Sequence, residues 1–143
     1  MEGFVTFEHV YKTYGSGEGE VHALKDASFT IDKGEIAVIL GQSGAGKTTL
    51  LNILGGMDIL TAGKVFLEGR EVSALTRREL AHYRREEIGF VFQFYNLVPN
   101  LTALENVELA NQISRDPLDA QEVLRNVGLE GRTKNFPSQL SGT

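Results

Sequence analysis

The residues best suited to chemistry form one run, Gly41-Gln42-Ser43-Gly44-Ala45-Gly46-Lys47-Thr48-Thr49. The spacing fits G-x-x-x-x-G-K-[ST], a loop that cradles phosphates. A polyphosphate carries several negative charges. Converging backbone N–H groups at a helix N-terminus meet it well, because the helix dipole is positive there. Gly41, Gly44 and Gly46 allow the backbone to curl closely around an anion, where a Cβ would resist the required dihedrals. Lys47 has the reach for β- and γ-phosphates, and the Thr48 hydroxyl suits the coordination sphere of Mg²⁺. The plainer alternative is a glycine-rich surface turn followed by a lysine. Context decides between them, since an apolar run (Ile36 to Leu40) precedes the loop and a helical pattern (Leu50 to Leu54) follows it.

Several elements must hold that loop in place. Phe4 to Tyr11 sets Val5, Phe7 and His9 against Phe4, Thr6 and Glu8, the alternation of a strand. After the turn-rich Gly15 to Gly19, Val21 to Ile31 reads as a second strand with Leu24, Ala27, Phe29 and Ile31 inward. Lys33-Gly34 turns the chain into a buried strand over Ile36 to Leu40. The first strands are expected to form an antiparallel flank on the sheet that carries the loop. Lys64 to Glu68 reads as a short strand turning at Gly69-Arg70. Thr76 with Glu79 is a capping box opening a charged helix to Glu86 or Glu87. Ile88 to Phe92 is a compact apolar run fitting an interior strand that ends at Gln93. Thr102 with Glu105 opens a further helix using Leu104, Val107, Leu109, Ala110 and Ile113. Asp116-Pro117 is expected to start the next, and Gly128 to stop it.

Composition bounds the rest. The 143 residues suffice for a core, and a net charge of −5 argues against a general nucleic-acid binder. No cysteine is present, so disulfides and thiolate metal sites are excluded. No apolar run is long enough to cross a bilayer. His9, His22 and His82 lack metal-ligand spacing, and Arg77, Arg78, Arg84 and Arg85 are interleaved with Glu79, Glu86 and Glu87 as on a solvated helix face.

The phosphate loop, the strand ending IGFVFQ at Gln93, the following NLVPNLTALENV and the terminal LSG together resemble an ABC transporter nucleotide-binding domain. The GSGEGEVHALKD stretch resembles the subfamily of lipoprotein-release and macrolide-export systems. The likeness covers essentially the whole sequence. It implies an α/β P-loop NTPase fold in its N-terminal part: an antiparallel β flank and ATP-binding core over 1–93, then the beginning of an α-helical subdomain over 94–143.

By position, the resemblance implies that Tyr14 stacks on adenine. It implies that Gly41 and Ser43 to Thr48, including Gly44, Ala45, Gly46 and Lys47, hold the phosphates, with Thr49 at the α-phosphate. Gln93 would touch Mg²⁺ or the attacking water, and with Lys47 serve catalysis. Thr48 and Gln93 would be the metal-facing residues. Ser141 and Gly142 match the start of the signature that meets the nucleotide on the opposite subunit. ATP and Mg²⁺ are the implied cofactors. Transmembrane permease subunits and a second nucleotide-binding domain are the implied partners, on the cytoplasmic face of the membrane and without direct insertion. The apolar positions around Phe94 to Leu101 suit a core, while the resemblance implies that this region meets a membrane subunit.

The sequence departs from the family where Thr143 stands in place of the second signature glycine. The acidic pair that follows in the family, holding Mg²⁺ and the attacking water, has no match within 1–143, so little hydrolysis is expected of the chain alone. Two other readings stay open: a soluble ABC-type ATPase of DNA repair or translation, and a non-catalytic nucleotide-binding module.

Overall fold

The computed structural model describes residues 3–44, 46–94 and 96–140. The chain divides into two compact units, 1–88 and 89–143.

In the first unit a four-stranded antiparallel sheet runs in the order β2-β1-β3-β4. Its strands are β1 (Val5–Tyr14), β2 (Val21–Ile31), β3 (Ala62–Leu67) and β4 (Arg70–Glu71). Helices α1 (Lys47–Leu54) and α2 (Arg77–Glu86) complete the unit. β1 and β2 pair from Val5 opposite Ile31 to Tyr14 opposite Val21, and the register breaks on the way. Glu8 and His9 face Ser28 alone, and then Lys25 and Asp26 face Tyr11 alone. His9 and Asp26 take positive φ (46° and 49°), and their side chains pair at 2.5 Å on the surface.

Each bulge adds a residue and swaps the faces of the strand beyond it. Val5 and Phe7 therefore point inward, His9 does not, and Val10 is fully buried. The simple alternation that puts His9 with Val5 and Phe7 fails for this reason. Likewise Leu24 is buried while Ala27, Phe29 and Ile31, of opposite parity, also pack on the core.

The core joins these strands to α1 through Leu50 and Ile53 and to α2 through Leu80 and Tyr83. The Tyr83 hydroxyl donates to the Leu54 carbonyl at 2.6 Å, and the Arg84 guanidinium donates to the Gly56 carbonyl at 2.6 Å. The end of α1, where the dipole is negative, is thus held by a phenol and a cation from α2. Thr76 and Glu79 form the expected capping box. Glu68 and Gly69, both at positive φ, make the tight turn between β3 and β4, as a two-residue hairpin requires.

Two expected strands are absent. Ile36–Leu40 and Ile88–Phe92 are irregular, and no ladder among the described residues includes them. Ile36, Val38 and Leu40 are exposed, as is Val91. The cause is the lack of a neighbour: a strand is held by a paired row of N–H and C=O groups. The antiparallel flank and the loop helix form as expected, whereas the core sheet between them does not.

In the second unit α3 (Ala103–Asn111) starts at the Thr102–Glu105 capping box. The Asn106 side chain accepts from the Val98 amide and donates toward the carbonyls of Val98, Leu101 and Thr102, all at 2.8–3.1 Å. Of the expected apolar positions, Leu109, Ala110 and Ile113 are exposed. The next helix, α4 (Ala120–Asn126), begins later than Asp116-Pro117 suggests. The Asp119 carboxylate caps it by accepting from the Glu122 amide, so a true cap overrides the proline signal. Gly128 ends it at φ 80°, as expected.

Candidate nucleotide-phosphate site

Lys47, Thr48 and Thr49 form the first turn of α1, and Gly46 stands at its N-cap. Gly46 has φ 89° and offers no side chain to cap the turn. The opening amides of α1 therefore keep their hydrogen-bonding capacity at the positive end of the dipole. Gly46 also lies hard against β2. A Cβ there would come within 2.2 Å of the Ala23 carbonyl oxygen and 3.0 Å of a Leu24 methyl. Gly44, at φ 81°, has open space where its Cβ would be. One glycine is thus required by contact as well as by dihedral, the other by dihedral alone.

The Lys47 ammonium folds back over the loop and donates to the carbonyls of Gly41 at 2.5 Å and Gln42 at 2.7 Å. Ser43 is exposed in the turn, and Thr48 is exposed on the first turn of the helix. Thr48 offers the hard oxygen that Mg²⁺ prefers. The donor set fits a triphosphate with its cation: first-turn amides that no side chain caps, one ammonium and one hydroxyl.

Tyr14, the last residue of β1, is brought to this helix. Its hydroxyl donates to the Asp58 carboxylate, with the Thr49 side chain near enough to act on the phenol. Asp58 in turn takes the Lys12 ammonium at 3.0 Å and the Ile59 amide at 2.7 Å. Lys12 sits 4.7 Å from the centre of the Tyr14 ring. The hydrogen bond to Asp58, followed by burial, raises the Tyr14 phenol above its ordinary value, with Thr49 acting the other way. Burial pushes the Asp58 carboxyl up, but hydrogen bonds from Tyr14, Lys12 and the Ile59 amide outweigh it and hold it below its ordinary value.

Tyr14, Gly46, Lys47 and Thr49 are therefore assembled around the start of α1. Gln93 is exposed in an irregular segment of the other unit, not at the end of a strand. Ala45, Ser141 and Gly142 lie outside the described residues. Lys12 and Asp58 go unnoticed in the sequence reading. Lys12 is two residues before Tyr14 on one strand, a spacing that puts both on one face. Asp58 gives no local signal, because its side-chain partners, Lys12 and Tyr14, are more than forty residues away in the chain.

A profile of the ABC transporter family matches residues 24–143. The chain belongs to the ABC transporter family. It is 51% identical to an uncharacterized ABC transporter ATP-binding protein of Thermotoga maritima, matching 99% of this chain and 63% of that protein. It is 46% identical to the lipoprotein-releasing system ATP-binding protein LolD of Alcanivorax borkumensis, over 92% of this chain and 60% of the relative. Among solved structures it resembles the ATP-binding cassette MJ0796, a dimer in a post-hydrolysis state bound to ADP and Pi. There the TM-score is 0.84 at 42% identity, covering 96% of this chain and 63% of the other. The chain thus spans less than two thirds of the length of these relatives. No helix among the described residues is long and apolar enough to cross a membrane.

Proposed function

We propose that the chain binds Mg-ATP and that, in the whole protein, binding and hydrolysis drive export or release of a substrate by membrane permease subunits. The observation that carries the reading is the uncapped first turn of α1 beside a lysine directed at the loop carbonyls. Ser43, Gly44, Ala45, Gly46 and Lys47 would supply amides and an ammonium to the phosphates, with Gly41 shaping the entry and Thr49 near the α-phosphate. Thr48 would help to hold Mg²⁺, which would neutralise phosphate charge. Tyr14 would stack on the base.

A bound phosphate competes with the Gly41 and Gln42 carbonyls for the Lys47 ammonium. Charge decides that contest, since a phosphate oxygen is the stronger acceptor. The naming of the relatives as ATP-binding proteins of an ABC transporter and of a lipoprotein-releasing system supports membrane partners, and the dimeric cassette supports pairing with a second nucleotide-binding domain, in which Ser141 and Gly142 would face the partner's nucleotide. Calorimetric titration of Mg-ATP into the chain and into Lys47→Ala tests the site. The substituted protein should bind at least tenfold more weakly, the order expected for a lost charge-assisted contact. Equal affinities would refute it.

A further inference from the structure

We propose that Asp58, braced by Lys12, is a positioning residue that fixes the Tyr14 ring as the platform for the nucleotide base. The inference rests on the reading of Tyr14 as the base-stacking residue and assigns the parts that hold it. Tyr14 closes β1 opposite Val21, at the end of a strand where a side chain has little packing to orient it. Its hydroxyl is nevertheless held by Asp58, from the loop after α1, and lies near enough to Thr49 in the first turn of α1 for that side chain to act on the phenol. Asp58 is fixed in its turn. Its Oδ1 accepts from Lys12 and from the Ile59 amide, while Oδ2 serves the tyrosine.

Lys12 spends its donors within the same group. It reaches Asp58 and, at 2.6 Å, the Ile59 carbonyl, and its ammonium lies against the Tyr14 ring. The side chains are 13% exposed for Lys12 and 26% for Asp58, so water competes poorly for these bonds. The loop carrying Asp58 is stitched to β1 at two more points. The Thr61 amide donates to the Tyr11 carbonyl at 2.8 Å, and the Thr61 hydroxyl accepts from the Thr13 amide at 2.9 Å.

The result is a rigid link between the two ends of the ligand. α1 would hold the phosphates at its start, and the loop leaving its far end holds the tyrosine. With the ammonium against one face of the ring, the base stacks on the other. An unanchored tyrosine would have to be ordered by the nucleotide, and that cost would reduce the affinity gained from stacking.

The test compares two ligands, Mg-ATP and Mg-tripolyphosphate, which lacks the base, titrated calorimetrically into the full chain. Asp58→Asn keeps the volume but weakens the hold on Lys12 and Tyr14. Tyr14→Phe removes only the anchoring hydroxyl and tests the same link if Asp58→Asn melts early. Each should bind Mg-ATP about three- to tenfold more weakly, a part of the stacking energy, and bind tripolyphosphate as the parent does. The double variant should lose no more than either single one, because both break one link. Tyr14→Ala separates the two claims. If it binds Mg-ATP as tightly as the parent, the stacking reading falls and this inference with it. If it binds weakly while Asp58→Asn and Tyr14→Phe bind normally, the stacking reading stands and the positioning role is overturned. Equal loss for both ligands in Asp58→Asn would also overturn it, since the effect would then lie in the phosphate loop.

Discussion

The β flank and the two apolar runs that stay unpaired make opposite use of similar residues. Phe7, Val10 and Val65 are almost wholly buried, whereas Ile36 is 92% exposed and Val91 fully so. Apolar content does not explain the difference, because Ile36 to Leu40 is an unbroken apolar run and β1 is not. Partner supply does. β1 meets β2 across a connection of six residues and β3 as a second antiparallel neighbour. Runs apolar on every position are the mark of strands covered on both faces, and their parallel neighbours arrive only through long crossovers. Burial therefore follows the availability of a hydrogen-bonding neighbour more closely than it follows hydrophobicity.

The largest effect should come from emptying the flank. Phe7 is 2% exposed and stacks on Phe29 with ring centres 4.6 Å apart. Phe7→Ala should cost about 3–5 kcal/mol by the lost transfer energy and the cavity left behind. Urea unfolding of the parent and the variant measures it. A loss below about 1 kcal/mol would mean that the flank is not the core of its unit.

A smaller effect, with a pH signature, should come from the brace between α2 and α1. Burial pushes the Tyr83 phenol up to about 12, Glu87 adds to the shift and Arg70 opposes it. Because the folded value is raised, the unfolded chain gives up its proton first. The stabilisation is whole below pH 10 and is lost as pH rises from 10 to 12. Tyr83→Phe, which deletes the bond to the Leu54 carbonyl, should cost about 1–2 kcal/mol at neutral pH. The stability gap between the two proteins should then narrow above pH 10. A constant gap would show that the phenol does not titrate with unfolding.

Much of this architecture was legible in the residues, for identifiable reasons. Both Thr–Glu capping boxes were readable because capping is decided within four residues. The phosphate loop was readable because glycine and lysine chemistry is local. The bulges at His9 and Asp26 were not, since a register break depends on two strands at once. Asp58 was hidden because a carboxylate becomes a partner of Tyr14 only after the loop following α1 is laid on β1. Proline at 117 misled for the opposite reason: a helix start it permits was taken over by the better cap at Asp119.

The smallest expected effect cuts closest to the comparison. If Val38 and Val91 have no neighbours, replacing either with lysine removes no buried contact and strands no charge. Val38→Lys and Val91→Lys should then change the unfolding free energy of the chain by less than about 0.5 kcal/mol, as at ordinary surface positions. The same change at Val65, 1% exposed in β3, would bury an unpaired ammonium and should unfold the first unit. Urea titration of the three variants side by side decides the matter. A cost of several kcal/mol at Val38 or Val91 would mean that those runs are paired in solution. Partner supply would then fail as the explanation of why one set of apolar residues is buried and the other is not.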